Sequence, residues 1–335
     1  MGDRCTKGST ALKPQPNAGS GTVFKVLTRS QVILRSHISI HTHCQVCQDE
    51  GCHSQLEYAS HICIMALRLN NPKLFLTKGY INGEWVDSKS GKTFDVVNPS
   101  TGESIATIPE MDAQDVSLAS KHAAAAFKSW KTTSCKVRGK IIRKWADLMN
   151  ENAADLGALM TLENGKPYTE AKGEIGFAAS YLEFYSGEAE RAYGDVVPSS
   201  NTANRIFAIK QPIGVVACLA PWNFPAAMIT RKAGGAIAAG CTTVVKPAGE
   251  TPLTTLAIAY LGEQAGIPKG VLNVITSLEN LAAVGRALCE LSFTGSTAVG
   301  KLLMQQSAST LKKMSLELGG NSPFITSMIA TFRVQ

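Results

Sequence analysis

From residue 213 onward, short apolar or β-branched runs alternate with longer segments of helical spacing. Gly214–Leu219, Thr242–Val245, Val271–Ile275 and Leu291–Thr294 read as strands. Between and after them, Phe224–Ala239, Pro252–Ala265, Ala282–Leu288 and Ala298–Ser307 read as helices, with Thr251 as the cap of the second and Pro252 in its first turn. Connections this short imply right-handed crossovers on a mostly parallel sheet. The expected fold class is therefore α/β: a doubly wound, Rossmann-like nucleotide-binding domain with ligands at the carboxyl ends of its strands.

Upstream, the pattern changes. Tyr80-Ile81-Asn82-Gly83-Glu84-Trp85 reads as a hairpin, because Asn-Gly is the strongest two-residue turn signal. Asn98-Pro99-Ser100-Thr101-Gly102 reads as a second turn. Asp112 can cap a helix whose Val116, Ala119, Ala123, Ala126, Phe127 and Trp130 share one face. The next helix carries Val137, Ile141, Trp145, Leu148 and Met149 as its stripe. Asn164-Gly165-Lys166-Pro167 ends the helical run after it, and residues 169–191 read as one more helix.

Composition separates residues 1–70 from the rest. They show no sustained period of either kind. From Arg4 to Gln48 there are six Lys/Arg and no acid, as in an organelle transit peptide, which predicts a mitochondrial address; an untargeted leader, with a cytoplasmic protein, is the alternative reading. His41, His43, Cys44, Cys47, Cys52, His53, His61 and Cys63 cluster there. Cys44 and Cys47 have metal-ligand spacing, but Cys52 follows too closely for a standard zinc knuckle, so no metal site is expected.

The whole chain, 335 residues with 44% hydrophobic and 18% charged positions, is long enough for two domains with a real core. Its net charge of +7 is scattered among acids, which argues against nucleic acid as a partner. No apolar run approaches the ~18 residues of a membrane-spanning helix. Nine cysteines in a chain of this length do not make a dense disulfide framework, and Cys135, Cys218, Cys241 and Cys289 read as single thiols in a reducing compartment.

Candidate chemistry lies at the ends of the strands. In Phe293-Thr294-Gly295-Ser296-Thr297 a strand ends, a glycine turns the chain without a Cβ to block a close approach, and a hydroxyl opens a helix. That helix N-terminus favours a phosphate, although a serine there is also an ordinary cap. Lys246, at another strand end, can serve ribose hydroxyls or phosphate, or simply be solvated. In Pro221-Trp222-Asn223-Phe224-Pro225 two prolines fix a loop whose Asn223 amide can donate to a developing oxyanion. Glu317, before Gly319-Gly320, can act as a general base on water, or be a plain surface acid.

In combination these segments are specific. Residues 80–326 resemble the aldehyde dehydrogenase superfamily through Trp222-Asn223-Phe224-Pro225, Val245-Lys246-Pro247-Ala248, Phe293-Thr294-Gly295-Ser296 and Glu317-Leu318-Gly319-Gly320 in order. Ala226 to Gly234 is similar to the succinate-semialdehyde branch. The resemblance implies oxidation of succinate semialdehyde to succinate with NAD or NADP. Asn223 would form part of the oxyanion hole, and Glu317 would activate the hydrolytic water. Lys246 would hold the adenosine ribose, Ser296 beside Gly295 the pyrophosphate, and Trp222 would line the cofactor site. Arg231 matches the position that binds the carboxylate tail of the substrate, a group suited to a bidentate guanidinium. Residues 194–212 match an oligomerisation hairpin, so a homo-oligomer is expected. The implied organisation is a leader (1–70), the helical part of the NAD(P) domain (75–193), the hairpin (194–212), the Rossmann-like core (213–326) and a tail unlike the family (327–335).

The chain departs from the family pattern at three places. The family's nucleophilic cysteine lies beyond Glu317, and no cysteine occurs among the 335 − 317 = 18 residues that follow it. The second, catalytic domain is thus expected to be largely missing and this chain to be inactive, with a catalytically dead nucleotide-binding or oligomerisation module as the alternative role. Cys289-Glu290-Leu291 is shorter than the family pattern, which puts the strand feeding Phe293 in question. Gly249 stands where many NAD-specific members carry a glutamate. Its small size is expected to leave room for a 2′-phosphate, with Glu250 as a neighbouring substitute for ribose contacts.

Overall fold

The computed structural model describes residues 69–279, 290–309, 311–321 and 323, all within one compact unit, Cys52–Gln335. The leader with its His/Cys cluster, the predicted helix Ala282–Leu288 and residues 327–335 lie outside the described residues.

Strands β1 (Gly79–Ile81) and β2 (Glu84–Val86) form the expected hairpin. Asn82 and Gly83 occupy positive φ, 53° and 77°, as the tight turn requires. β3 (Thr93–Val97) and β4 (Ser104–Pro109) pair antiparallel around the Asn98–Gly102 turn, where the Gly102 N–H donates to Asn98 O at 2.8 Å. Helices α1 (Ala113–Trp130), α2 (Cys135–Glu151), α3 (Ala153–Asn164) and α4 (Tyr168–Glu188) follow. Asp112 caps α1 in a reciprocal capping box with Asp115. Gly165 ends α3 at φ 80°.

β5 (Asp195–Val197) and β6 (Ile206–Ala208) make a separate two-stranded sheet. The doubly wound core then runs β7 (Val215–Leu219), α5 (Ala227–Ala238), β8 (Thr242–Lys246), α6 (Leu253–Ala265), β9 (Leu272–Val274), β10 (Glu290–Gly295), α7 (Thr297–Ala308) and β11 (Met314–Leu318). The seven-stranded sheet has the order β11-β10-β7-β8-β9-β1-β2. Its core strands are parallel, and β1 joins β9 antiparallel. From β7 the chain winds one way through β8 and β9, then crosses to the other side as β10. The gap between β7 and β10 is the switch point at which such sheets bind ligands.

Alternation along β7 supplies both faces. Val215, Ala217 and Leu219 pack with Val116 and Ala119 of α1 and Leu303 of α7. Cys218 belongs to the larger core on the opposite face, with α2 through α6. Two buried indoles latch the crossover helices: Trp130 Nε1 donates to Ile237 O of α5 at 3.2 Å, and Trp145 Nε1 to Ile258 O of α6 at 2.9 Å.

Two local expectations are corrected. On α2 the expected Trp145 and Met149 are buried with Gly139, Ile142 and Ala146, and Ile141 and Leu148 pack partly buried against the core, but Val137, expected on the same stripe, is 46% exposed. Two residues on, Gly139 takes the close contact instead, since a Cβ there would lie 2.6 Å from Ser186 O of α4. The helices approach along a glycine that carries no hydrophobic signal. Thr251 does not cap α6: its hydroxyl is buried without a hydrogen-bond partner. The carboxylate of Glu163 on α3 does so instead, accepting from Leu253 N at 2.7 Å and Thr254 N at 2.8 Å.

Candidate active-site cleft

At the switch point a cleft of about 420 Å³ opens over the carboxyl ends of β7, β8 and β10. Trp222, Lys246, Glu250, Gly295 and Ser296 all line it, so the five residues expected to serve a cofactor converge. Ser296 caps α7 by accepting from Val299 N at 3.3 Å. The Gly300 N–H goes to Ser296 O, and the N–H groups of Thr297 and Ala298 have no partner within the helix. Lys246 is only 4% exposed. Burial pushes its ammonium down to about 8, while the carboxylates of Glu250 and Glu110 pull the other way.

The two glycines of this cleft serve the protein itself. A Cβ at Gly295 would meet the Phe293 ring at 2.5 Å, so the close approach it permits is that of its own strand neighbour. A Cβ at Gly249 would lie 2.6 Å from Leu278 Cδ1 and 2.7 Å from Leu278 Cα. A side chain at Gly249 would thus run into Leu278, while the glycine itself lines the open cleft.

Asn223 lies on the loop after β7, exposed and outside the lining of the cleft. Its position is set through the backbone. Asn164 Nδ2 donates to Trp222 O at 2.7 Å, and Lys166 Nζ to Asn223 O at 3.0 Å. The same ammonium sits 4.4 Å from the Phe224 ring centroid and 2.5 Å from Glu174 Oε2. Glu174, in turn, accepts the N–H groups of Ala226 at 3.0 Å and Ala227 at 3.2 Å, where α5 begins. Two carboxylates of the helical layer, Glu163 and Glu174, thus bind the N-termini of two crossover helices. Sequence reasoning missed both; the signal was an acid on an otherwise apolar helix face.

Arg231 and Glu317 also lie outside the cleft, beside β10 and β11. Thr294 and Glu317 are register partners on these parallel strands, and Thr294 Oγ1 donates to Glu317 Oε2 at 3.0 Å. Arg231 of α5 hydrogen-bonds to the same oxygen. Next to it Lys232 donates to Ser292 Oγ at 3.0 Å, and burial lowers the pKa of its ammonium.

The described thiols do not reach this chemistry. Cys218 and Cys241 are buried, and desolvation pushes the Cys218 thiol up to about 12. Cys135 is exposed, but it opens α2 and influences Arg138, whose guanidinium lies beside Gly240 at the amino end of β8.

A doubly wound α/β sheet with an open switch point belongs to the architecture in which ligands bind outside the carboxyl ends of the strands. Residues 85–331 match the aldehyde dehydrogenase family model, and the chain belongs to that family. It is 50% identical over 265 residues to the NADP(+) succinate-semialdehyde dehydrogenase of Escherichia coli K12, covering 77% of this chain and 55% of that protein. With the corresponding enzyme of Saccharomyces cerevisiae it shares 52% over 263 residues, 77% of this chain and 53% of the relative. A glutarate-semialdehyde dehydrogenase of Pseudomonas aeruginosa is 51% identical over 265 residues, with coverage of 77% and 54%. Among solved structures, succinate-semialdehyde dehydrogenase from Burkholderia pseudomallei superposes with a TM-score of 0.75 at 49% identity, covering 78% of this chain and 55% of that one. A betaine aldehyde dehydrogenase mutant from Staphylococcus aureus in complex with NAD+ gives 0.71 at 33% identity, with coverage of 73% and 51%. The chain spans about half the length of the relatives it matches. No helix among the described residues is long and apolar enough to cross a membrane.

Proposed function

We propose that the described residues form the NAD(P)-binding half of a semialdehyde dehydrogenase. The observation that carries this reading is the convergence of Lys246, Ser296 and Trp222 on one cleft at the switch point. A dinucleotide fits the donor set: a nearly buried cation, unpaired N–H groups at a helix start, and a volume within the ~300–1,000 Å³ of small-molecule sites. Lys246 and Glu250 would hold the adenosine ribose, Ser296 and the first turn of α7 the pyrophosphate, and Trp222 would flank the site. When bound, NAD(P)⁺ supplies a hydride acceptor.

The residues beyond the cleft take the remaining roles. Asn223 donates its amide to a carbonyl oxygen, Glu317 accepts a proton from water, and Arg231 pairs with the carboxylate of succinate semialdehyde. The acyl-forming nucleophile has no counterpart among the described thiols, so this chain alone binds dinucleotide without turning over aldehyde. The mitochondrial reading of the leader belongs to this proposal; the relative in Arabidopsis thaliana is a mitochondrial enzyme.

Titration of the 335-residue chain with NADP⁺ and NAD⁺, followed by quenching of the tryptophan fluorescence that Trp222→Phe removes, tests the reading. Saturable quenching lost in Lys246→Ala is expected. Absence of quenching by either nucleotide refutes the binding role, and NAD(P)H formation from succinate semialdehyde refutes the inactivity.

A second role rests on the β5–β6 hairpin, which exposes Val196 (71%), Phe207 (66%) and Ile209 (73%). Apolar side chains exposed on a separate two-stranded sheet support an association surface for another subunit. Sedimentation of the chain before and after Phe207→Asp distinguishes an oligomer from a monomer.

A further inference from the structure

We propose that Glu317 is a built-in competitor for Arg231: its carboxylate holds the guanidinium until a ligand's own carboxylate takes its place, so that binding an anionic tail is what frees Glu317. This rests on the reading of Arg231 as the group that binds the substrate's tail.

The geometry places both functional groups in one contact. Glu317 Oε2 accepts from Arg231 on α5 and from Thr294 Oγ1 on the neighbouring strand. While it does so, the guanidinium faces a carboxylate already, and the proposed general base is held by a cation. The setting suits an exchange of one carboxylate for another. Arg231 is 27% exposed and Glu317 53%, so both are within reach of solvent. Lys232, also on α5, adds a second positive charge beside the pair. The same guanidinium nitrogen, Nη2, also donates to Met228 Sδ at 3.0 Å, so the edge that Glu317 holds is anchored to α5 itself and an incoming carboxylate that pairs with this edge meets Glu317 there.

Magnitude decides whether the exchange can occur. A partly exposed ion pair contributes ~0–1 kcal/mol, whereas a bidentate arginine–carboxylate pair is stronger and geometrically selective. The internal contact is therefore weak enough to be displaced by a carboxylate that approaches in the plane of the guanidinium. A neutral aldehyde offers Arg231 an uncharged acceptor only, too weak a partner to replace a carboxylate, and leaves Glu317 engaged. The pair thus selects for carboxylate-bearing aldehydes twice, once in affinity and once by releasing the base.

Calorimetric titration of the full chain with succinate tests this. Glu317→Gln removes the competing charge while keeping the shape, and about fivefold tighter succinate binding is expected, the equivalent of ~1 kcal/mol. Arg231→Met is expected to abolish binding in either background; if it does not fold, Arg231→Lys takes its place with a smaller loss. Succinamide, the neutral analogue, is expected to gain nothing from Glu317→Gln. Unchanged succinate affinity in Glu317→Gln, with binding still lost in Arg231→Met, overturns the competition and leaves the tail-binding reading intact. Succinate binding that survives Arg231→Met overturns the tail-binding reading itself.

Discussion

The carboxylate of Glu163 accepts the backbone N–H of Leu253 at 2.7 Å, so a side chain of α3 closes the N-terminus of the crossover helix α6. Burial raises this carboxyl from 4.5 to about 7, although the cap bonds from Leu253 and Thr254 favour its charged form. Folding therefore takes up a proton between those values. The stability this group contributes is fully present below pH 4.5 and is lost as pH rises towards 7, a change on the order of 3 kcal/mol. Glu163→Gln, which keeps one acceptor and no charge, is expected to flatten that window in urea denaturation. An identical pH slope in both proteins refutes the assignment.

Lys246 carries the opposite sign. Its pKa is lowered to about 8, so the unfolded chain holds the proton more tightly and stability rises with pH from about 8 towards the ordinary lysine value of 10.5. The proposed nucleotide binding is expected to run the other way, because the Lys246 cation offered to an anionic ligand is lost above pH 8. We expect NADP⁺ affinity to fall through that pH in the wild-type chain and to be flat and weak in Lys246→Ala. An affinity that does not change between pH 7 and 9 contradicts the placement.

The loop carrying Trp222 and Asn223 is held by Asn164 and Lys166, and the two tethers differ in consequence. Asn164→Ala removes one hydrogen bond at a cost of about 1 kcal/mol. Lys166→Met also strands Glu174, whose side chain is 2% exposed, and is expected to cost about 3–5 kcal/mol. Both variants are expected to raise acrylamide quenching of the fluorescence component that Trp222→Phe removes, but only the second lowers the melting temperature strongly. Equal melting temperatures refute the ranking.

Gly249→Ala is expected to cost about 1–3 kcal/mol and to weaken nucleotide binding, because the new methyl meets the backbone of Leu278. Since the contact includes Leu278 Cα at 2.7 Å, adding Leu278→Ala is not expected to rescue it. Full rescue in the double variant places the clash in the side chain instead. Thermal denaturation of the three variants decides between the two.

Much of this was readable from the chain because the informative residues are local. Pro221 follows close on β7, Pro247 follows β8 directly and β10 ends at Gly295, and these breaks carry Trp222, Lys246 and Ser296 into one cleft. What was not readable depends on partners distant in sequence. Glu163 meets Leu253 across 90 positions, Glu174 meets Ala226 across 52, and Arg231 meets Glu317 across 86. Hydrophobic periodicity contains no record of such pairs. Val137 of α2 was placed on the buried stripe for a different reason: the tight contact with α4 is made nearby by Gly139, an absence of side chain.

The two indole latches set an order of events during synthesis. Trp130 and Trp145 find their acceptors 107 and 113 positions later in the chain. Contacts of such separation close late, after the entropy of large loops has been surrendered. As the polypeptide leaves the ribosome, the helical layer is complete while the crossovers that will cover it are still unmade, so the growing chain carries two bare tryptophans in search of carbonyls not yet translated.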